Sequence, residues 1–337
     1  MLRYPVSCTF LGYIKRSILL SCRYNHSKTD FRLEELNHRK IVRLSGEESS
    51  NFLQGLVTND VNNISSSMYT MFLNNRGRIL FDSIIYPAKE KDTFLLECDS
   101  QAMHQLIKHL NMYKLRKKIA ISLASELNVW CIYNPKLVDN SNEAKVSSTE
   151  TFDMNAVDKN LMITPDPRTN LLGYRIIAKE GDEIPNLPKS DLYTLCRYKL
   201  GIGEGIDELL FEQSFPLEMN CDYLNGVSFN KGCYIGQELT ARSFHTGVIR
   251  KRLMPLIFES EALGIPINTP IEDPNITRKS PIGKVRTVKG VNGIGLMRVS
   301  ETIESKSLKI INFMARSYIP GWWPEETVEQ TYVKIKK

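Results

Sequence analysis

The feature that most constrains this fold is a change of pattern near Arg252. Beyond it the chain reads as short alternating segments at 253–258, 282–285 and 295–299, set apart by Gly, Pro and Asn. Short strands and turns at even spacing predict a small β-barrel or sandwich. Before Arg252, apolar residues recur at both helical and strand periods, which predicts an α+β body. A chain of 337 residues suits two or three domains of ordinary size. The expected division is a leader at 1–29, an α+β region at 30–248 and a β-barrel domain at 249–330.

Within the body, Ile41-Val42-Arg43-Leu44 reads as a strand, and Ser45 as the N-cap of a helix burying Phe52, Leu53 and Leu56. Apolar runs at 71–73 and 79–81 flank Asn74-Asn75-Arg76-Gly77-Arg78, the mark of a hairpin. Residues 94–98 give another strand, and Met103, Leu106, Ile107 and Leu110 form a helical stripe. Residues 134–160 are polar and Asn-rich, as in an irregular surface insertion. A further helix from Asp191 to Leu200 would carry Leu192, Leu195, Cys196 and Lys199 on one face. Gly201-Ile202-Gly203-Glu204-Gly205 follows it directly. A dinucleotide fingerprint must follow a strand and open a helix, so these glycines close the helix instead, through a left-handed C′ residue.

Charge and cysteine usage narrow the classes. Residues 1–29 hold Arg3, Lys15, Arg16, Arg23 and Lys28 and no acid, the pattern of a mitochondrial transit peptide. Lys15 and Arg16 would interrupt the apolar core of a secretory signal. Past the leader stand 39 basic and 38 acidic residues, so the net charge of +6 belongs mostly to the leader. No stretch approaches the roughly 20 apolar residues of a membrane span. The basic run Lys114, Arg116, Lys117, Lys118 reads as a solvated helix end that complements the dipole. Neither nucleic acid nor a membrane is expected as a partner. The cysteines form no C-x-x-C and no Cys/His pair at zinc spacing, which argues against a self-contained zinc site.

Lys231-Gly232-Cys233-Tyr234-Ile235-Gly236-Gln237-Glu238 is the most chemically loaded segment. Gly232 and Gly236 keep bulk from the sulfur and let the backbone bend. Lys231 and Arg242 are cations that would favour thiolate, the form that attacks electrophiles and binds metal. Gln237 and Glu238 would open a helix, an acid there suiting the dipole. His245 is the local histidine that a Cys/His nucleophilic dyad would need. The competing reading is a small buried hydrophobe, which leaves the crowding of glycines and charges about the sulfur without a reason.

This segment, followed by Ala241-Arg242 and Lys251-Arg252-Leu253, resembles the signature of the YgfZ group, folate-binding relatives of the glycine-cleavage T-protein (aminomethyltransferase). The resemblance extends to 52–61 (Phe-Leu-Gln-Gly-Leu-Val-Thr-Asn-Asp-Val), 77–82 (Gly-Arg-Ile-Leu-Phe-Asp), Arg197 with Gly201, Ile202 and Glu204, and Pro216-Leu217-Glu218. It closes with Gly295-Leu296, Arg298 and Pro320-Gly321-Trp322-Trp323-Pro324. It covers roughly residues 40 to 324, and with the leader it points to the mitochondrial iron–sulfur assembly branch of the Iba type.

The resemblance implies a T-protein-like fold: two α+β lobes framing a cleft, with a C-terminal β-barrel. It implies a matrix assembly factor for [4Fe–4S] proteins of the aconitase and lipoate synthase type, acting with A-type scaffold proteins. The family's motif cysteine falls on Cys233. One thiolate cannot satisfy a cluster that needs four protein ligands. Cys233 is therefore expected as one ligand of a transient cluster shared with a partner. The alternatives are a folate-dependent one-carbon (aminomethyl-type) transferase and a non-catalytic adaptor. For the transferase, tetrahydrofolate would sit in the cleft near Asp82, with Asn59, Arg78 and Glu218 lining it by family analogy. Phe81 stands where T-proteins usually carry an acid.

Overall fold

The computed structural model describes residues 30–136, 152, 161–275 and 280–326. The expected leader, and the expected insertion apart from residues 134–136 and Phe152, lie outside the described residues.

The chain opens with β1 (Arg32–Glu35), β2 (Arg39–Ser45) and α1 (Ser49–Gln54). The hairpin β3 (Met68–Leu73) and β4 (Ile79–Pro87) follows, then β5 (Thr93–Asp99), α2 (Met103–Lys114) and β6 (Ala120–Leu123). Next come β7 (Leu127–Tyr133), β8 (Met162–Pro165), β9 (Tyr174–Lys179), α3 (Tyr193–Leu200) and α4 (Gln237–Thr246). The last part holds β10 (Lys251–Phe258), β11 (Pro270–Ile271), β12 (Gly283–Lys289), β13 (Asn292–Arg298), α5 (Val299–Glu304), β14 (Leu308–Ile310) and β15 (Phe313–Arg316).

Among the described residues the strands form three antiparallel sheets, ordered β3-β4-β5-β2-β6, β1-β7-β9-β8 and β11-β12-β13-β10-β15-β14. Every residue of β3 and β5 is buried, because both faces of the five-stranded sheet are covered. Ile84 and Tyr86 point into a core shared with Val129, Cys131, Tyr193, Leu253 and Ile294, so elements of all three sheets meet there. Ile85 and Leu96 point the other way, into a second core with Phe52, Leu53, Leu106 and Leu110. The helical stripe read in α2 is the face that covers this side. The hairpin between β3 and β4 also forms as expected: Asn74 Oδ1 accepts the amides of Arg76 and Arg78, each at 3.0 Å. The six-stranded sheet has its own core, built from Met254, Phe258, Ile271, Val285, Ile310 and Trp323.

Two local expectations fail. Ser45 is not a helix cap: it ends β2, where its backbone is paired with Thr93 on one side and Ala120 on the other. The helix begins only at Ser49, after Glu48. On α3 the buried face is Tyr193, Cys196, Arg197 and Leu200, while Leu192 is 40% exposed. An apolar count misplaced this face because Arg197 is buried, its guanidinium meeting the carboxylate of Glu208 at 2.6 Å. The helix does end as expected, at Gly201 in the left-handed region (φ +67°), with Ile202 N donating back to Arg197 O at 2.9 Å.

Charge is concentrated where the two N-terminal sheets and α3 meet. Glu204, fully buried at its carboxylate, accepts from Arg168 at 2.7 Å, Arg175 at 2.8 Å, Tyr193 at 3.1 Å and His38 at 2.8 Å. Arg39 bridges Glu97 at 2.9 Å and Asp82 at 3.2 Å, and Arg168 also takes Asp166 at 2.7 Å. Burial alone would raise the Glu204 carboxyl, but Arg168, Arg197, Arg175 and Arg39 outweigh it and hold it well below the usual carboxylate range. Buried charges persist only when paired in this way.

Candidate functional site

Exposure separates the cysteines. Cys98, Cys131, Cys196 and Cys221 are buried, whereas Cys233 is exposed. Burial pushes the Cys98 thiol up to about 12, and those of Cys131 and Cys221 well above the usual thiol range. Those three are apolar core groups that stay protonated. Among the described cysteines, Cys233 is the thiol that solvent and partners can reach.

The loop that carries Cys233 rests on residues 54–59. Thr58 Oγ1 donates to Gly226 O at 2.6 Å, and Ser228 N donates to Thr58 O at 3.1 Å. Lys231 Nζ donates to the carbonyls of Gln54 at 2.8 Å, Val57 at 2.7 Å and Asn59 at 2.7 Å. Ile235 N then donates to Gly55 O at 3.1 Å. This corrects the expectation for Lys231: its three donors hold the floor of the loop and are not turned to the thiol. Burial pulls the Lys231 ammonium down to about 8, while the carbonyls it faces favour its charged form. The ring of the buried Tyr234 lies 5.0 Å from Lys231 Nζ and closes its pocket.

The loop leaves its floor at Gly236, with φ +80°. A side chain here would meet Asn74 O, Leu73 Cβ at 2.8 Å and Gly77 Cα at 3.2 Å. Gly236 is thus the point where the Cys233 loop crosses the β3–β4 turn. Gly232 differs: a Cβ there would meet nothing within 4 Å, so packing does not require a glycine at this position. Gln237 opens α4 as expected and sends its amide toward Gly232 O at 3.5 Å. Arg242 is exposed and lies 4.0 Å from Glu238, one turn away. His245 forms no dyad: its ring belongs to an aromatic group with Phe244 at 5.2 Å and Phe229 at 6.2 Å. Among the described residues no hydrogen bond reaches the Cys233 sulfur. Phe229 and Phe244 stack at 3.6 Å, and Phe244 remains 47% exposed.

The four residues proposed for a folate cleft do not converge. Arg78 lies over the Phe215 ring at 4.3 Å. Phe215 and Glu218 line a cavity of about 440 Å³ with Thr240, Arg250 and Lys251. Burial pushes the Glu218 carboxyl up, against the pull of Lys251, Arg286 and Arg78. Asn59 borders a separate recess of about 250 Å³ beside Asp60 and Ser67, its amide donating to Tyr69 O at 2.9 Å and Asn225 O at 2.7 Å. Asp82 is inside the buried charge cluster, 2% exposed, accepting from Gly205 N at 3.0 Å.

Known proteins match this arrangement throughout. Residues 250–325 match the family model described as CAF17, C-terminal beta-barrel domain. The mouse protein named iron-sulfur cluster assembly factor IBA57, mitochondrial, is 36% identical over 311 residues, covering 86% of this chain and 84% of its own. The human protein of that name is 34% identical, with the same two coverages. Among solved structures, the glycine cleavage system aminomethyltransferase T of Bartonella henselae superposes with a TM-score of 0.63 over 89% of each chain. Its 15% identity speaks for the fold alone. The α+β body is therefore T-protein-like and carries a C-terminal β-barrel. By sequence, the chain belongs to the IBA57 family of mitochondrial iron–sulfur cluster assembly factors.

Proposed function

We propose that this protein supports iron–sulfur cluster assembly in the mitochondrial matrix, with Cys233 giving one ligand to a cluster it shares with an A-type scaffold protein. The final recipients on this reading are [4Fe–4S] enzymes of the aconitase and lipoate synthase type. The observation that carries the reading is the exposed Cys233 on a floor pinned by Lys231, while the other described cysteines are buried. A cluster needs four protein ligands. Among the described residues no three His, Cys, Asp or Glu side chains are grouped to hold a metal ion. Cys233 thus completes a ligand set that begins on another protein. The exposed Phe244, stacked on Phe229, is an aromatic contact that α4 can offer that protein.

Mixing the protein with a scaffold loaded with a [2Fe–2S] cluster should give a stable complex with a changed visible absorbance and dichroism. Cys233→Ala should abolish the spectral change and weaken the complex by at least tenfold, since a metal–thiolate bond is lost. An identical spectrum and complex for the variant would sink the ligand role. The transferase reading keeps one supporting observation, the cavity bordered by Glu218 and Phe215 beneath Arg78. Calorimetric titration with tetrahydrofolate tests it: binding that Glu218→Gln weakens would favour that reading over a non-catalytic adaptor that binds neither folate nor metal, and no binding would count against it.

A further inference from the structure

The far end of α2 has no part in the Cys233 site. From residue 100 to 125 the chain contains no acid, while Lys108, Lys114, Arg116, Lys117 and Lys118 fall within that stretch. The helix end was expected to be a plain solvated terminus, and the structure shows more. Leu115, the residue that closes α2, has φ 48° and ψ −116°, and Lys117 N donates to Lys114 O at 2.9 Å across it. This is the first central position of a type II′ turn, which normally holds glycine, asparagine or aspartate. A leucine there is strained, and the strain brings no burial, because Leu115 is 85% exposed. Met112, one turn earlier on the same side of the helix, is 59% exposed.

Strain kept at a residue that contributes nothing to the core points to a use outside the fold. Two apolar side chains are exposed to solvent, and cations flank them along the chain. Glu48 occupies two of the nearby donors, with Lys117 Nζ at 3.6 Å and Lys118 N at 2.6 Å. Among the described residues no ion pair engages Lys108, Lys114, Arg116 or the Lys118 ammonium. A protein partner would bury on the order of 800 Å² of each surface to form a stable interface. Two exposed apolar side chains within a run of Lys and Arg fall short of that. Nucleic acid would use the cations but has no need of Leu115. Both parts fit a lipid surface with acidic headgroups, where apolar tips enter the acyl boundary and cations meet phosphate. No helix among the described residues is long and apolar enough to cross a membrane, so the contact is peripheral.

We infer that the α2 tip docks this protein reversibly on an anionic phospholipid membrane, with Leu115 and Met112 inserted and Lys108, Lys114 and Arg116 on the headgroups. The test is flotation of the protein purified from mitochondria, on phosphatidylcholine vesicles with or without cardiolipin. Wild type should float only with the cardiolipin vesicles. Leu115→Gly relieves the turn strain and removes the tip together, so it should melt no lower than wild type and bind at least tenfold more weakly. Each cation at such a surface is worth about fivefold, so Lys108→Gln, Lys114→Gln and Arg116→Gln combined should weaken binding by roughly a hundredfold. Cluster sharing at Cys233 should be unchanged in all of these variants. Three results would overturn the inference: no cardiolipin-dependent flotation, undiminished flotation of Leu115→Gly, or capture of RNA with no capture of vesicles.

Discussion

Glu204→Gln is expected to destabilise the fold by about 3–5 kcal/mol, the usual cost of removing one partner from a buried ion cluster. The substitution preserves shape and volume, so a cavity cannot account for the loss. What changes is charge: Arg168 at 2.7 Å and Arg175 at 2.8 Å keep their guanidinium groups in the interior, now facing a neutral amide. Both arginines have fully buried side chains, so water cannot compensate. Urea unfolding followed by tryptophan fluorescence should show the midpoint fall, with a loss below 1 kcal/mol contradicting the account. Arg168→Met combined with Glu204→Gln should cost less than the sum of the single changes, because the pair then leaves together. The pH dependence has a definite sign. Glu204 and Asp166 are both held below their ordinary values, so their contribution is complete above the normal carboxylate range. It is lost as pH falls through that range, below about 4. Glu204→Gln should flatten that acid limb, since one of the groups that must take up a proton is gone.

Legibility in the sequence followed the range of the interactions involved. The β3–β4 hairpin could be read because Asn74 bonds its own neighbours, Arg76 and Arg78. The stripe of α2 could be read because Leu106 and Leu110 are one turn apart and both buried. The face of α3 could not, since apolar periodicity gives no place to a buried Arg197 whose acceptor, Glu208, lies in the following segment. Ser45 looked like a cap because side-chain type was visible and strand pairing was not. At the candidate site, Cys233 and its motif were evident, but their support was hidden. Lys231 and the carbonyl of Val57 are 174 positions apart, and no local pattern announces that contact. Residues 52–61 and 231–238 stand far apart in the sequence, and the structure brings them face to face. Glycine was the available clue: Gly77 and Gly236 each sit in a conspicuous motif, and each occupies the space the other's side chain would need.

Gly236→Ala should therefore disable the Cys233 site while the cysteine itself remains. The left-handed backbone (φ +80°) costs an alanine about 1–2 kcal/mol. Overlap with Asn74 O and with Leu73 Cβ adds roughly 1–3 kcal/mol unless the loop lifts away. The neighbours are a backbone carbonyl and the root of a buried side chain, neither of which can swing aside. The loop is held by the hydrogen bonds of Lys231 and Ile235 to residues 54–59 and by the packing of Tyr234 and Ile235, and the exposed stretch around Cys233 is the part with room to yield. Cys233 then moves relative to the floor set by Lys231, and in the proposed role of shared ligand a displacement of about 1 Å loses the positioning a metal site needs. The expected result is at least a tenfold loss in scaffold complex formation, with faster labelling of Cys233 by a thiol reagent as the loop loosens. Gly232→Ala is the matched comparison, with the same added methyl four residues earlier. Open space surrounds that position, so its melting temperature should match wild type, and any effect should appear only in how closely a partner can approach the sulfur. Equal loss of stability in both variants would mean that the loop is not seated by the crossing of Gly236 and Gly77.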